Sequence, residues 1–126
     1  MELGKYNTLK VLKELAQGMY LLDDEGNEIL LPLKYIPEGT KIGDIMEVFV
    51  YKDSENRPIA TTLTPKIILD EFALLKCKEV SEIGAFMEWG IEKDVFVPFA
   101  EQRTKMEEGR NYICILYYDD ESDRLV

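Results

Sequence analysis

The sequence predicts an all-β chain of two small five-stranded barrels in tandem, on three observations. The stretch Gly84-Ala85-Phe86-Met87 has a weaker counterpart 66 positions earlier, Gly18-Met19-Tyr20-Leu21. The same offset aligns Glu28-Ile29-Leu30-Leu31-Pro32 with Asp94-Val95-Phe96-Val97-Pro98, Gly43 with Gly109, and Val48-Phe49-Val50-Tyr51-Lys52-Asp53 with Cys114-Ile115-Leu116-Tyr117-Tyr118-Asp119. A register held through four separate blocks reads as two copies of one β unit. Finally, the apolar positions common to both copies recur at a spacing of two, the period of a strand.

The first strand is the least obvious. Leu9, Leu12 and Leu15 recur at i, i+3 and i+6, a helical spacing, yet only Leu9 and Val11 match Leu75 and Cys77 of the second copy. The shared pattern favours a strand over Thr8 to Leu15. Gly18 and Gly84 then mark bends before strands Met19–Asp23 and Ala85–Trp89. Asp24-Glu25-Gly26-Asn27 and Gly90-Ile91-Glu92-Lys93 are hairpin turns. The returning strands, Glu28–Leu31 and Asp94–Val97, stop at Pro32 and Pro98, which cannot donate to a ladder.

The copies diverge most after these prolines, through a loop at Leu33 to Lys41 and a longer helical stretch within Phe99 to Glu108. Gly43 and Gly109 lead into fourth strands Ile45–Tyr51 and Asn111–Tyr118, rich in Val, Ile, Phe and Tyr. Acidic turns, Asp53 to Asn56 and Asp119 to Asp123, introduce the fifth strand. It spans Arg57 to Thr62 in the first copy and is only begun, at Arg124-Leu125-Val126, in the second. Five strands with their least regular connection between the third and fourth describe a Greek-key barrel of the OB type. The expected organisation is a first domain over 1–63, a linker over 64–70 and a second domain over 71–126, its last strand cut at a domain edge of a longer protein.

Units of about 60 residues are marginally stable alone, so each is expected to lean on the other or on something C-terminal. With 46% hydrophobic and 32% charged residues the composition is that of a folded domain. Apolar runs fall far short of the ~20 residues of a membrane span, and Met1-Glu2-Leu3-Gly4-Lys5 has no leader pattern, so a cytoplasmic protein without a membrane partner is expected. Cys77 and Cys114 occupy strand positions that are aliphatic elsewhere and read as core filler, the alternative being a disulfide or reactive thiol.

The formal charge is −10. Residues 1–66 carry 8 basic and 11 acidic side chains, and residues 67–126 carry 7 and 14. That is the reverse of a phosphate-binding footprint, unless the cations gather on one face. The absence of histidine removes the usual base for a Ser, Thr or Cys nucleophile, and no glycine-rich phosphate loop is present. With two cysteines there is no zinc-ligand spacing either. No catalysis, metal or cofactor is expected.

Gly-Ala-Phe-Met after a first strand, then Asp-Val-Phe-Val-Pro, then a Gly-led fourth strand ending in an acidic turn and an Arg, resembles the S1 type of RNA-binding domain, a variety of OB-fold. The tandem pair, beginning Leu3-Gly4-Lys5-Tyr6-Asn7-Thr8-Leu9 and including Ile59-Ala60-Thr61-Thr62, resembles more specifically the N-terminal half of the conserved virulence factor B (CvfB) family. The resemblance implies a bacterial virulence regulator that binds single-stranded RNA and continues into another S1-like domain and a winged helix.

Carried over to this sequence, the aromatic that stacks a base in S1 domains matches Tyr20 and Phe86. The second aromatic of the pattern is absent, with Gln17 and Ile83 in its place, and Pro32 and Pro98 replace a frequent histidine. The acidic residue with an Arg four positions on is kept as Asp53 with Arg57 and Asp120 with Arg124. The expected RNA-binding set is therefore Tyr20 and Phe86 for stacking, with Arg57, Lys76 and Arg124 on the backbone. Each has a plainer alternative: core packing for the aromatics and surface salt bridges for the cations. Trp89 is expected between the barrels, the alternative being a second stacking platform. The competing function is a protein-interaction or architectural module whose acidic surface meets a basic partner, with RNA binding in C-terminal domains.

Overall fold

The computed structural model describes residues 1–122 and 124–126; Asp123, the end of the second acidic turn, lies outside the described residues. The chain divides into two compact units, Met1–Thr64 and Pro65–Val126.

In the first unit β1 (Lys5–Leu15), β2 (Gly18–Leu22), β3 (Glu28–Pro32), β4 (Ile45–Lys52) and β5 (Pro58–Thr61) close into a barrel of order β1-β2-β3-β5-β4. Thr8 to Leu15 is strand and not helix. Closure depends on β5, which pairs antiparallel with β4 through four residues and meets β3 in parallel at Ile59 and Leu30. Alternate residues point inward, and Leu9, Val11, Met19, Leu21, Ile29, Leu31, Val48, Val50 and Ala60 form the core. Full burial of each large aliphatic among them is worth about 1.5–3 kcal/mol relative to exposure.

The second unit repeats the path with β6 (Phe72–Val80), β7 (Gly84–Met87), β8 (Val95–Pro98) and β9 (Asn111–Ile115), a four-stranded sheet of order β8-β7-β6-β9. The expected second five-stranded barrel is not formed. β9 ends at Ile115, and β10 (Tyr118–Asp119) with β11 (Arg124–Leu125) makes a separate two-stranded ribbon. Two residues paired only to β10 cannot bridge β8 to β9 as β5 bridges β3 to β4. A hollow of about 550 Å³, lined by residues of both strands including Val97 and Cys114, lies between them. Cys77 and Cys114 are unpaired and buried, and burial pushes both thiols up, so they fill the core.

The linker expected over 64–70 is largely part of the second unit. Ile67 is buried, the Lys66 N–H donates to the Trp89 carbonyl, the Asp70 N–H donates to the Leu116 carbonyl, and Leu69 makes a parallel bridge to Leu116. Trp89 lies beyond the end of β7. It is buried, and its indole N–H donates to the Ile67 carbonyl at 3.0 Å. The indole is therefore buried and offers no exposed stacking face.

The two copies share a further detail. β1 loses register with β2 between Val11 and Lys13, and β6 with β7 between Cys77 and Glu79. At both places the neighbouring loop supplies the hydrogen bonds: Gly43 N–H to the Val11 carbonyl and Gly109 N–H to the Cys77 carbonyl, each 2.8 Å. This bulge turns the strand by one residue, which decides what stands opposite Tyr20 and Phe86.

Candidate nucleic-acid interface

Close backbone packing at the two repeated glycines fixes the aromatic sites. A Cβ on Gly18 would lie 2.1 Å from the Leu31 carbonyl oxygen, and one on Gly84 would lie 2.4 Å from the Val97 oxygen and 2.7 Å from the Phe96 ring. Only glycine lets the paired strands approach this closely. The inner residues that follow, Met19 and Ala85, are buried, and the next position in each copy, Tyr20 or Phe86, is turned outward and half-buried.

In the second unit Phe86 stands directly opposite Phe96 on β8, with ring centroids 5.2 Å apart and planes tilted by 38°. On its other side Phe86 is paired with Glu79 of β6. These three residues, with Ile83, Arg124 and Leu125, line an open groove of about 580 Å³. Among the described residues the Arg124 guanidinium has no ion-pair partner. The groove offers a pair of apolar ring surfaces, a guanidinium able to bond phosphate or stack on a base, and a carboxylate.

The first unit builds a different site from the same plan. Tyr20 faces Leu30, not an aromatic, and its other neighbour is Lys13, whose Nζ lies 5.3 Å from the ring centroid. The Gln17 side-chain amide donates to the Tyr20 hydroxyl at 3.0 Å, and Lys13 also pairs with Glu28 at 3.0 Å. Arg57 is held by the acidic turn, its Nε 3.2 Å from Asp53 and its Nη2 2.7 Å from Glu55. Burial opposes ionisation of Asp53, but the Arg57 and Glu55 N–H groups and the Arg57 charge win and hold its carboxyl below the ordinary value.

Of the five residues singled out from sequence, Phe86 and Arg124 therefore share one groove. Tyr20 belongs to the other unit, Arg57 is engaged in ion pairs, and Lys76 is exposed on β6 but does not line the groove. Arg124 stands opposite Asp119 in the ribbon, one residue from the Asp120 partner expected. Cations are mostly interleaved with acids: Lys66 with Glu88, Lys78 with Asp94, Arg110 with Glu107. No continuous basic stripe results from these pairs.

Residues 3–63 match the S1 domain family. The chain is S1-like. It is 33% identical over 98 residues to the uncharacterized protein YitL of Bacillus subtilis (strain 168), covering 77% of this chain and 33% of YitL. A crystal structure of a multidomain protein with nucleic acid binding domains from Streptococcus pneumoniae TIGR4 superposes with a TM-score of 0.81 at 22% identity, over 98% of this chain and 44% of that one. The chain thus spans a third of the curated relative and under half of the solved structure, and the structural likeness shows the OB-like fold alone. No helix among the described residues is long and apolar enough to cross a membrane.

Sequence reasoning missed Phe96, Glu79 and Lys13. Phe96 was legible: the repeat aligns it with Leu30, and strand alternation places it on the face of Phe86. Glu79 and Lys13 were not, because uninterrupted alternation turns them to the core face, and only the bulge brings them outward.

Proposed function

We propose that the chain binds single-stranded RNA, and that the second unit carries the stronger site. The observation that carries this reading is the groove in which Phe86, Phe96 and an Arg124 without an ion-pair partner among the described residues come together. A base inserted against the rings gains ~1–3 kcal/mol, irrespective of its identity, because every base has a π-face. Arg124 contributes the phosphate contact. Tyr20 is a weaker platform, with one face already approached by Lys13. The S1 match of residues 3–63 and the nucleic-acid-binding description of the pneumococcal neighbour support the ligand class.

The same reading makes the chain the N-terminal tandem S1-like portion of a longer bacterial cytoplasmic regulator of the CvfB type, followed by further S1-like and winged-helix domains. It assigns a binding role and no catalytic step. Fluorescence anisotropy of labelled single-stranded RNA, at two salt concentrations, tests it. Saturable binding that weakens with salt is expected, with a shallow slope because only Lys93 and Arg124 among the described cations line the groove. Absence of binding at low salt refutes the reading.

A second reading has one observation in its favour. Glu79, Glu92 and Asp94 surround the same aromatic pair, and acids around aromatic faces suit a lysine or arginine side chain. On that reading the unit is a protein-interaction module, and a basic peptide, not RNA, saturates the groove.

A further inference from the structure

Resting on the RNA-binding reading, we infer that Glu79 makes the groove of the second unit selective for guanine. Glu79 is the direct strand partner of Phe86 and lines the same groove as Phe86 and Phe96. Its carboxylate is exposed, and among the described residues no cation lies within ion-pair distance of it. Asp94, another groove acid, is already occupied by Lys78 at 3.5 Å. A carboxylate beside a stacking platform repels phosphate and accepts hydrogen bonds from the donor-bearing edge of a base.

An ionised carboxylate only accepts hydrogen bonds, and its two oxygens match two parallel N–H groups. Unstacked RNA bases are read on their Watson–Crick edges while their faces lie on aromatic rings. Guanine alone presents two adjacent donors there, N1–H and the N2 amino group. Adenine and cytosine present one amino group next to a ring acceptor, and uracil presents N3–H between two carbonyl oxygens that the carboxylate repels. The order of preference follows as guanine first, cytosine and adenine next, uracil last. At the corresponding place in the first unit the bulge puts Lys13, a donor, beside Tyr20, so that site has no such preference for guanine.

The test uses uridine oligomers of roughly nine nucleotides, within the ~4–16-nucleotide footprint of an OB fold, carrying a single central guanosine, inosine, adenosine or uridine. Inosine keeps N1–H and loses the N2 amino group. The native chain binds the guanosine oligomer on the order of tenfold tighter than all-uridine, with inosine between them. Glu79→Gln removes most of that difference and raises affinity for all-uridine; Glu79→Lys raises affinity for every oligomer and abolishes the preference. A merely structural role for Glu79 would not move the two ligands in opposite directions. Equal binding of all four oligomers by the native chain, or a preference that survives in Glu79→Gln, overturns the inference while leaving RNA binding intact. Binding of none of them overturns the RNA reading and this inference together, and saturation by a lysine-rich peptide instead assigns Glu79 to a protein interface.

Discussion

The two units follow one sequence plan to different ends. In the first, β5 bonds to both β3 and β4 and the ring closes; in the second, β11 bonds only to β10 and β8 keeps a free edge among the described residues. The outward aromatic differs in the same way. Tyr20 sits between Lys13 and Leu30 with its hydroxyl bonded to Gln17, whereas Phe86 sits between Glu79 and Phe96 over an open groove. The repeat thus fixes where a ring stands, while a few unmatched residues decide whether it is available. Closure and availability pull apart: the better-built barrel has the more occupied platform.

The largest effect should come from the closed core. Leu21 is fully buried in the first unit, and Leu21→Ala is expected to cost about 2–5 kcal/mol in a urea melt followed by circular dichroism. A loss below ~1 kcal/mol would mean that the barrel core is not as tightly filled as described. Leu75, also fully buried, offers a comparable leucine truncation in the second unit, and Trp89, the single tryptophan, reports on it by fluorescence.

Acid should act on the first unit through Asp23. Burial opposes ionisation there, but hydrogen bonds from the Met1 ammonium, the Asn27 side chain and the Asn27 and Glu25 N–H groups hold its carboxyl well below the usual range. A depressed folded value means stability that is present above the ordinary aspartate pKa of about 4 and is lost as pH falls below it. Asp23→Ala should cost ~1.5–3 kcal/mol at neutral pH, and should flatten the decline of stability between about pH 4 and pH 2. An unchanged acid limb in that variant would contradict the assignment.

Ligand binding sharpens the contrast further. Phe86→Ala should weaken single-stranded RNA binding by ~1–3 kcal/mol and leave the fold intact, since the ring is only half-buried. Tyr20→Ala should weaken it less. The smallest effect is expected at Arg57, whose ion pairs with Asp53 and Glu55 are exposed; Arg57→Ala should change stability by ~0–1 kcal/mol, and RNA affinity less than Arg124→Ala does. Equal losses for the two arginines would show that the acidic turn releases Arg57 to the ligand.

Much of this was legible before any coordinates. The offset of 66 residues located Gly18 and Gly84, the strands that follow them and the prolines that end the third strands, because these positions are constrained by backbone approach and by ladder hydrogen bonds. Two features were not legible. The bulge at Leu12 and Lys78 has no residue signature of its own; it depends on bonds from Gly43 and Gly109 far along the chain, and it reverses the face of Lys13 and Glu79. The open second unit was also hidden, since Asn111 to Tyr118 reads as one continuous strand while Leu116 is diverted to a bridge with Leu69. Arg57 and Arg124 look alike in sequence, and only the structure shows that the turn around Asp53 pairs Arg57 with Asp53 and Glu55, while Arg124 has no ion-pair partner among the described residues.

The central claim is that the second unit's aromatic groove is the principal RNA site. Anisotropy titration of one labelled single-stranded RNA against the native chain, the Phe86→Ala Phe96→Ala double variant and Tyr20→Ala tests it most directly. The double variant should lose at least tenfold in affinity while retaining its circular dichroism and Trp89 fluorescence, and Tyr20→Ala should lose a few-fold at most. Undiminished binding by the double variant, or a larger loss in Tyr20→Ala, would contradict it.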